Sequence, residues 1–214
     1  MFTLSKIFLD PVWYFVTFWI GRYLADVHHW NLKQIGWFAI LPFIMADVGN
    51  IVGGYFTQFI IKRGVPISKA RKLAVALAGS IMGLSLLLAP LTITTPVSAL
   101  IIFGISGFGF TAYNANSLAF PADVVPKTSA ASVWGLACVG AGLGGALFQS
   151  LSGYTVAKLS TSINYTAAYN YLFVGYGVIA LIGVFIVLFL LGPLHQNEEL
   201  RAYAERQKEE EVIE

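Results

Sequence analysis

Six apolar stretches, each long enough to cross a lipid bilayer, constrain this chain more than any other feature. A spanning helix needs about 20 mostly apolar residues, because each backbone N–H and C=O in hydrocarbon must find its partner within the segment. The stretches fall at about 8–25, 35–61, 73–92, 97–121, 129–156 and 168–192, the second and fifth long enough to require tilt or an interfacial turn. Between them lie segments that lipid rejects: Asp26–Gln34, Lys62–Lys72, Leu91–Pro96, Ala122–Ser129 and Lys158–Ala167. The spacing predicts an all-α membrane protein of six transmembrane helices over 1–194, followed by a charged cytoplasmic tail at 195–214.

Composition decides against the alternative of a soluble domain with buried helices. With 57% hydrophobic and 11% charged residues, against roughly 45–50% and 25% in soluble domains, too little polar surface exists to cover such a core. Seven of the eleven acids lie in the last seventeen residues, leaving Asp10, Asp26, Asp47 and Asp123 elsewhere. A net charge of +2 without a basic, aromatic-laced stripe predicts no nucleic-acid partner. The start lacks the features of a cleaved signal peptide, so the chain reads as mature from Met1.

Lysine and arginine orient the spans, since they accumulate in short cytoplasmic loops. Lys6, Lys62, Arg63, Lys69, Arg71, Lys72, Lys127, Arg201, Arg206 and Lys208 fall on one side of a six-span chain, against Arg22, Lys33 and Lys158. Both termini are therefore expected in the cytoplasm, with the protein in the cell (inner or plasma) membrane.

Polar groups within the spans mark candidate sites, because a charge at mid-bilayer costs at least about 2.5–3.5 kcal/mol unless a cavity or partner compensates. Asp47 is the clearest case. Helical spacing puts it on one stripe with Phe43, Asn50 and Gly54, expected to face the bundle interior. Such a carboxyl serves either as a proton-coupling group or as a structural hydrogen-bond partner. The first span is dense in aromatics; Trp13 and Tyr14 are expected in a pocket and Tyr23 in an interfacial belt. Arg22 near the end of that span snorkels to water or reaches inward toward an anion. Tyr113, Asn114, Asn116 and Ser117 form a polar break before Pro121, and Gln149 shares a face with Gly142 and Gly145. The glycines of the second and fifth spans read as packing surfaces.

There is no phosphate-binding Gly-lysine loop, no histidine or cysteine pair at metal spacing and no glycine-framed serine nucleophile. The expectation is a protein without enzyme chemistry, cofactor or metal.

The string from Gly53 to Gly64, followed by Ala70-Arg71-Lys72, resembles the loop between the eighth and ninth helices of major facilitator carriers. Asp10-Pro11-Val12-Trp13-Tyr14-Phe15, Ala46-Asp47-Val48-Gly49-Asn50, and Ala115-Asn116 with Pro121-Ala122-Asp123 and Pro126 resemble the hexuronate-transporter branch of the anion:cation symporters. The resemblance covers nearly the whole chain. It implies the C-terminal six-helix half, a 3+3 inverted repeat, of a carrier that moves a sugar acid with protons by alternating access. Taken with the polar and aromatic residues of the spans, Trp13, Tyr14, Asn50, Tyr113, Asn114, Asn116 and Gln149 are the expected substrate contacts, Asp47 the expected proton-coupling group, and Lys62, Arg63 and Arg71 the expected cytoplasmic gate loop, whereas the resemblance implies that the groups gripping the substrate carboxylate come largely from the other half. Gln58 departs from the pattern, standing where the family's loop usually offers aspartate. The implied partners are a small organic anion, protons, the bilayer, and either a separate six-helix N-terminal half or a second copy. Two rival readings are an inactive truncated remnant and a homodimeric scaffold or channel module.

Overall fold

A computed structural model describes residues 2–121 and 127–190. The motif residues Asp123 and Pro126, and the charged tail at 195–214, lie outside the described residues. In chain order the elements are α1 (Phe2–His28), α2 (Leu32–Phe38), α3 (Ile40–Lys62), α4 (Ile67–Leu87), α5 (Ala89–Thr92), α6 (Pro96–Ser117), α7 (Lys127–Ser162), α8 (Tyr165–Phe185) and a π-helical turn (Ile186–Leu190). Six long helices stand among the described residues; α1 and α7 overrun the expected bounds, beginning at Phe2 and continuing to Ser162, whereas α6 stops short of them at Ser117. Segments read as loops are partly helical because a helix can continue past the hydrocarbon, where water satisfies its outer face.

Local chemistry explains the ends. Asn31 caps α2 by accepting from the Gln34 backbone N–H at 2.9 Å, while the Gln34 side chain accepts from the Asn31 N–H at 3.0 Å. Thr95 forms the same reciprocal pair with Ser98 at the start of α6, and Asn164 caps α8 by accepting from the Ala167 backbone N–H. α3 closes with Val65 N–H donating to the Ile60 carbonyl and Gly64 N–H to that of Ile61. Gly64 sits at φ +88°, a left-handed conformation that favours glycine.

Among the described residues, five helical segments are long and apolar enough to cross a membrane: Leu32–Lys62, Ile67–Leu87, Pro96–Ser117, Ala130–Ser162 and Tyr165–Phe189. α1 falls outside that set. The physical reason lies in its surroundings. α1 is wrapped by α6, α7 and α8, so its Lys6, Asp10 and Asp26 meet protein groups instead of lipid.

Packing repeats between the two halves of the chain. α3 lies along α6 as α7 lies along α1; α4 packs on α6 as α8 packs on α1; α4 meets α8, and α1 meets α6 at the centre. Exchanging α1, α3 and α4 for α6, α7 and α8 therefore preserves the neighbour pattern. A unit of three crossings returns the chain to the opposite side, so its repeat is inverted.

Small residues set the spacing. A Cβ on Gly49 would lie 2.6 Å from the Phe108 Cα, and one on Gly53 the same distance from the Ala112 Cα. On the partner pair, a Cβ on Gly140 would meet the Thr3 carbonyl at 2.8 Å, and one on Gly144 the Ile7 Cα at 3.0 Å. Because lipid tails are as apolar as leucine, such close backbone contact is a main source of helix adhesion. Rings fill the centre: Phe15 stacks on Tyr176 at 4.2 Å, and Tyr23 meets Phe103, Tyr169 and Phe173 edge-on. Tyr23 is buried, so the expectation of an interfacial position is corrected.

Candidate functional site

α1 has one face that its neighbours leave open. Leu9, Val12, Phe15 and Val16 are fully packed, whereas Trp13, Tyr14 and Thr17 are half-buried and Phe18 is exposed. α3 borders this stripe on one side and α7 on the other. Trp13 stacks parallel on Phe110 of α6, with centroids 5.1 Å apart, and takes the edge of Phe43 from α3. Tyr14 covers Gly145 of α7, where an added Cβ would fall 2.7 Å from its ring. One turn further, the Trp19 indole N–H donates to the Gln149 side-chain oxygen, and the buried Gln149 Nε2 has no hydrogen-bond partner. The arrangement offers a ring platform and an amide donor, a combination suited to a polar organic molecule with an apolar ring face.

Asp47 and Asn50 are exposed on α3, while the adjacent face, Ala46, Gly49, Gly53 and Thr57, packs on α6. The stripe expected to face the bundle interior therefore faces out of this six-helix body. The reason is steric: α3 can approach α6 only through its smallest residues, which turns Asp47 away. Asp47 borders the same open side as Phe43, which reaches Trp13.

The residues expected from α6 divide by role. Asn116 is buried and donates to the carbonyls of Gly53 and Ala112, both at 3.0 Å, while accepting from the Thr57 hydroxyl. It clamps α3 to α6. Tyr113 is buried and donates to Asp10 Oδ1 at 3.3 Å, and half-buried Asn114 accepts from Lys6 Nζ at 3.2 Å. Trp13, Tyr14 and Gln149 thus gather on the open stripe, Asp47 and Asn50 border it, and Asn116 is spent on helix packing. Lys62 and Arg63 are exposed at the α3 end, with the Arg63 guanidinium 4.2 Å from the Phe59 ring centroid. Arg71 is half-buried near the start of α4.

The Major Facilitator Superfamily model matches residues 3–212. The chain belongs to the major facilitator superfamily. Membership accords with the all-helical architecture and with transport as the family's role. Among curated relatives of this facilitator chain, the hexuronate transporter of Escherichia coli (strain K12) is 29% identical over 192 residues, covering 88% of this chain and 41% of the relative. A probable sulfoacetate transporter of Cupriavidus necator is 29% identical over 182 residues, covering 84% and 39%. A probable galactarate/D-glucarate transporter of Escherichia coli (strain K12) is 28% identical over 198 residues, covering 91% and 41%. The chain spans about two fifths of the length of these relatives.

Two clusters in this facilitator chain escaped sequence reasoning. Lys6, read as a topological charge, forms a buried pair with Asp10. Arg22 holds Asp26 through Nε at 3.3 Å and lies over the Trp19 ring, and Tyr169 donates to the same Asp26 carboxylate at 2.8 Å. Four-residue spacing of opposite charges at the two ends of the first apolar run was the available signal for both pairs.

Proposed function

We propose that this chain is one six-helix half of a carrier that moves an organic anion, a hexuronate or related sugar acid, across the cell membrane with protons by alternating access. The observation that carries the reading is the open stripe of α1, where Trp13 lies flat on Phe110 and Gln149 offers an unpartnered amide. A pyranose ring has apolar faces that stack on indoles and hydroxyls that accept from amides. The names of the relatives support a sugar acid or small organic acid as cargo.

Alternating access needs two bodies rocking about a shared midplane site. α3 and α7 turn many large apolar residues outward beside the stripe, among them Ile44, Val48, Ile51, Leu143 and Leu147. A second six-helix body covers these faces and completes the pocket. Asp47 and Asn50 then lie at the junction, where Asp47 takes up and releases the coupled proton. Trp13, Tyr14, Tyr113, Asn114, Asn116 and Gln149 are the substrate side of this half, Asn116 acting by holding α6 in place. Both termini lie in the cytoplasm, with Lys62, Arg63 and Arg71 at that end as the gate.

The test is uptake of labelled glucuronate by cells making this chain alone or with a six-helix N-terminal half of a hexuronate carrier. Uptake driven by an inward proton gradient and lost in Asp47→Asn is expected. Membrane-inserted protein with no uptake in either arm overturns the carrier reading in favour of a remnant.

A further inference from the structure

Lys6 and Asp10 are a charged pair placed where lipid and packing should exclude charge. The side chains are 3% and 12% exposed, with Lys6 Nζ 3.2 Å from Asp10 Oδ2. The surrounding groups converge on the Asp10 carboxylate or steady the ammonium. Tyr113 donates its hydroxyl to Asp10 Oδ1 at 3.3 Å, Asn114 accepts from Lys6 Nζ at 3.2 Å, and the rings of Tyr113 and Trp134 lie 5.1 and 5.0 Å from the nitrogen. Trp134 is held over the cluster by its indole N–H on the Leu118 carbonyl at 3.2 Å, with Phe2 against its ring.

An ammonium and a phenol hydroxyl aimed at one carboxylate make a carboxylate receptor, and here the chain's own Asp10 fills it. We propose that Lys6, Tyr113 and Asn114 form an anion site that Asp10 occupies by default, and that one proton on Asp10 exchanges it for the carboxylate of an incoming organic acid. The inference rests on the reading that the chain handles an organic anion, and it adds a second proton-linked carboxylate distinct from Asp47.

Charge balance supports the exchange. A desolvated site tolerates a neutral pair far better than a lone charge. Lys6 with ionised Asp10 is neutral. A proton taken from water onto an Asp10 oxygen leaves Lys6 uncompensated, and an arriving carboxylate restores neutrality. One proton and one negative charge therefore enter together, and no covalent bond other than O–H is formed or broken. The titratable groups nearest Asp10 among the described residues are Lys6 and Tyr14 on α1, Tyr113 on α6 and, beside Tyr14, Cys138 on α7. Lys6 and Tyr113 touch the carboxylate directly. Access runs from the open stripe, since Tyr14 stands one turn beyond Asp10 and Asn114 and Trp134 are only half-buried.

The experiment measures binding of acetate and of D-glucuronate to the full chain in detergent at pH 6 and pH 8 by calorimetry. Wild type should bind acetate more tightly at pH 6, approaching tenfold per pH unit for one linked proton. Asp10→Asn should bind with equal affinity at both pH values, because Lys6 is permanently released. Lys6→Gln leaves a buried carboxylate without its cation, so the neutral double variant Lys6→Gln/Asp10→Asn serves beside it, with thermal unfolding as the check on folding. It should be folded and bind neither probe. Wild-type pH dependence surviving in Asp10→Asn, wild-type binding by the double variant, or no binding of either probe by any variant overturns the proposal. Proton-linked acetate binding without glucuronate binding supports the site and instead overturns the sugar-acid reading.

Discussion

Asn116 on α6 and Thr57 on α3 are hydrogen-bonded across a buried seam, and the same Asn116 amide donates to the Gly53 carbonyl at 3.0 Å. One side chain thus satisfies an interhelical acceptor where glycine lets the two backbones approach. Asn116→Leu should lower the stability of the detergent-solubilised chain by about 0.6–2 kcal/mol, the range for interhelical hydrogen bonds in membranes. Thermal or SDS unfolding measures this. An unchanged midpoint would show that Asn116 is not a clamp.

Glycine position decides the tolerance of α3. Gly49→Ala places a methyl group 2.3 Å from the Phe108 carbonyl oxygen, whereas a Cβ at Gly54 meets nothing within 4 Å. Overpacking of this kind costs about 1–3 kcal/mol. Gly49→Ala is expected to lower the unfolding midpoint and Gly54→Ala to leave it level or slightly raised, through the propensity gain of about 1 kcal/mol for replacing a helical glycine.

Trp13 and Gln149 are separable contributors to ligand binding. Trp13→Ala removes a parallel ring platform, and aromatic pairs contribute about 0.5–1.5 kcal/mol beyond area. A rise of about two- to tenfold in the half-saturating glucuronate concentration is expected in the uptake assay. Gln149→Leu should give a similar rise together with a lower unfolding midpoint, since it removes the free Nε2 and also the oxygen that accepts from the buried Trp19 indole N–H.

Cys138 reports on the open side of α7. It is exposed, and it is the single cysteine of the sequence. Maleimide should label it readily in the chain alone and several-fold more slowly when a second six-helix half covers α7. Equal labelling rates would mean that the proposed partner does not sit on this face.

His29 occupies a left-handed backbone position at φ 55°, where its N–H closes α1 onto the Ala25 carbonyl at 3.1 Å. Glycine there avoids the steric penalty of about 1 kcal/mol that a side chain incurs. His29→Gly should raise the unfolding midpoint, and a lower midpoint would mean the ring makes a compensating contact.

Much of the architecture was legible because lipid is an unforgiving solvent. Runs such as 97–121 and 168–192 declare themselves by length and apolarity. Helix ends were less legible, since polar residues beyond the hydrocarbon stay helical without any compositional sign, as in Lys158–Ser162. The candidate site was legible in its parts: Trp13, Tyr14 and Gln149 were expected together and lie along one stripe. Lys6 was misjudged because a lysine near a terminus carries the same sequence signal whether it sits in water or in a buried pair.

By itself the sequence determined the solvent, the number of long helices and the membership of a carrier family, because these depend on totals and periodicities that survive any particular packing. Which way each helix turns depended on tertiary structure. Asp47 faces outward because Gly49 and Gly53 of the same helix must meet α6, and Lys6 is buried because Tyr113, Asn114 and Trp134 come from helices more than a hundred residues away in the chain. Orientation is set by the best fit between surfaces, and no residue carries that information until its neighbours are in place.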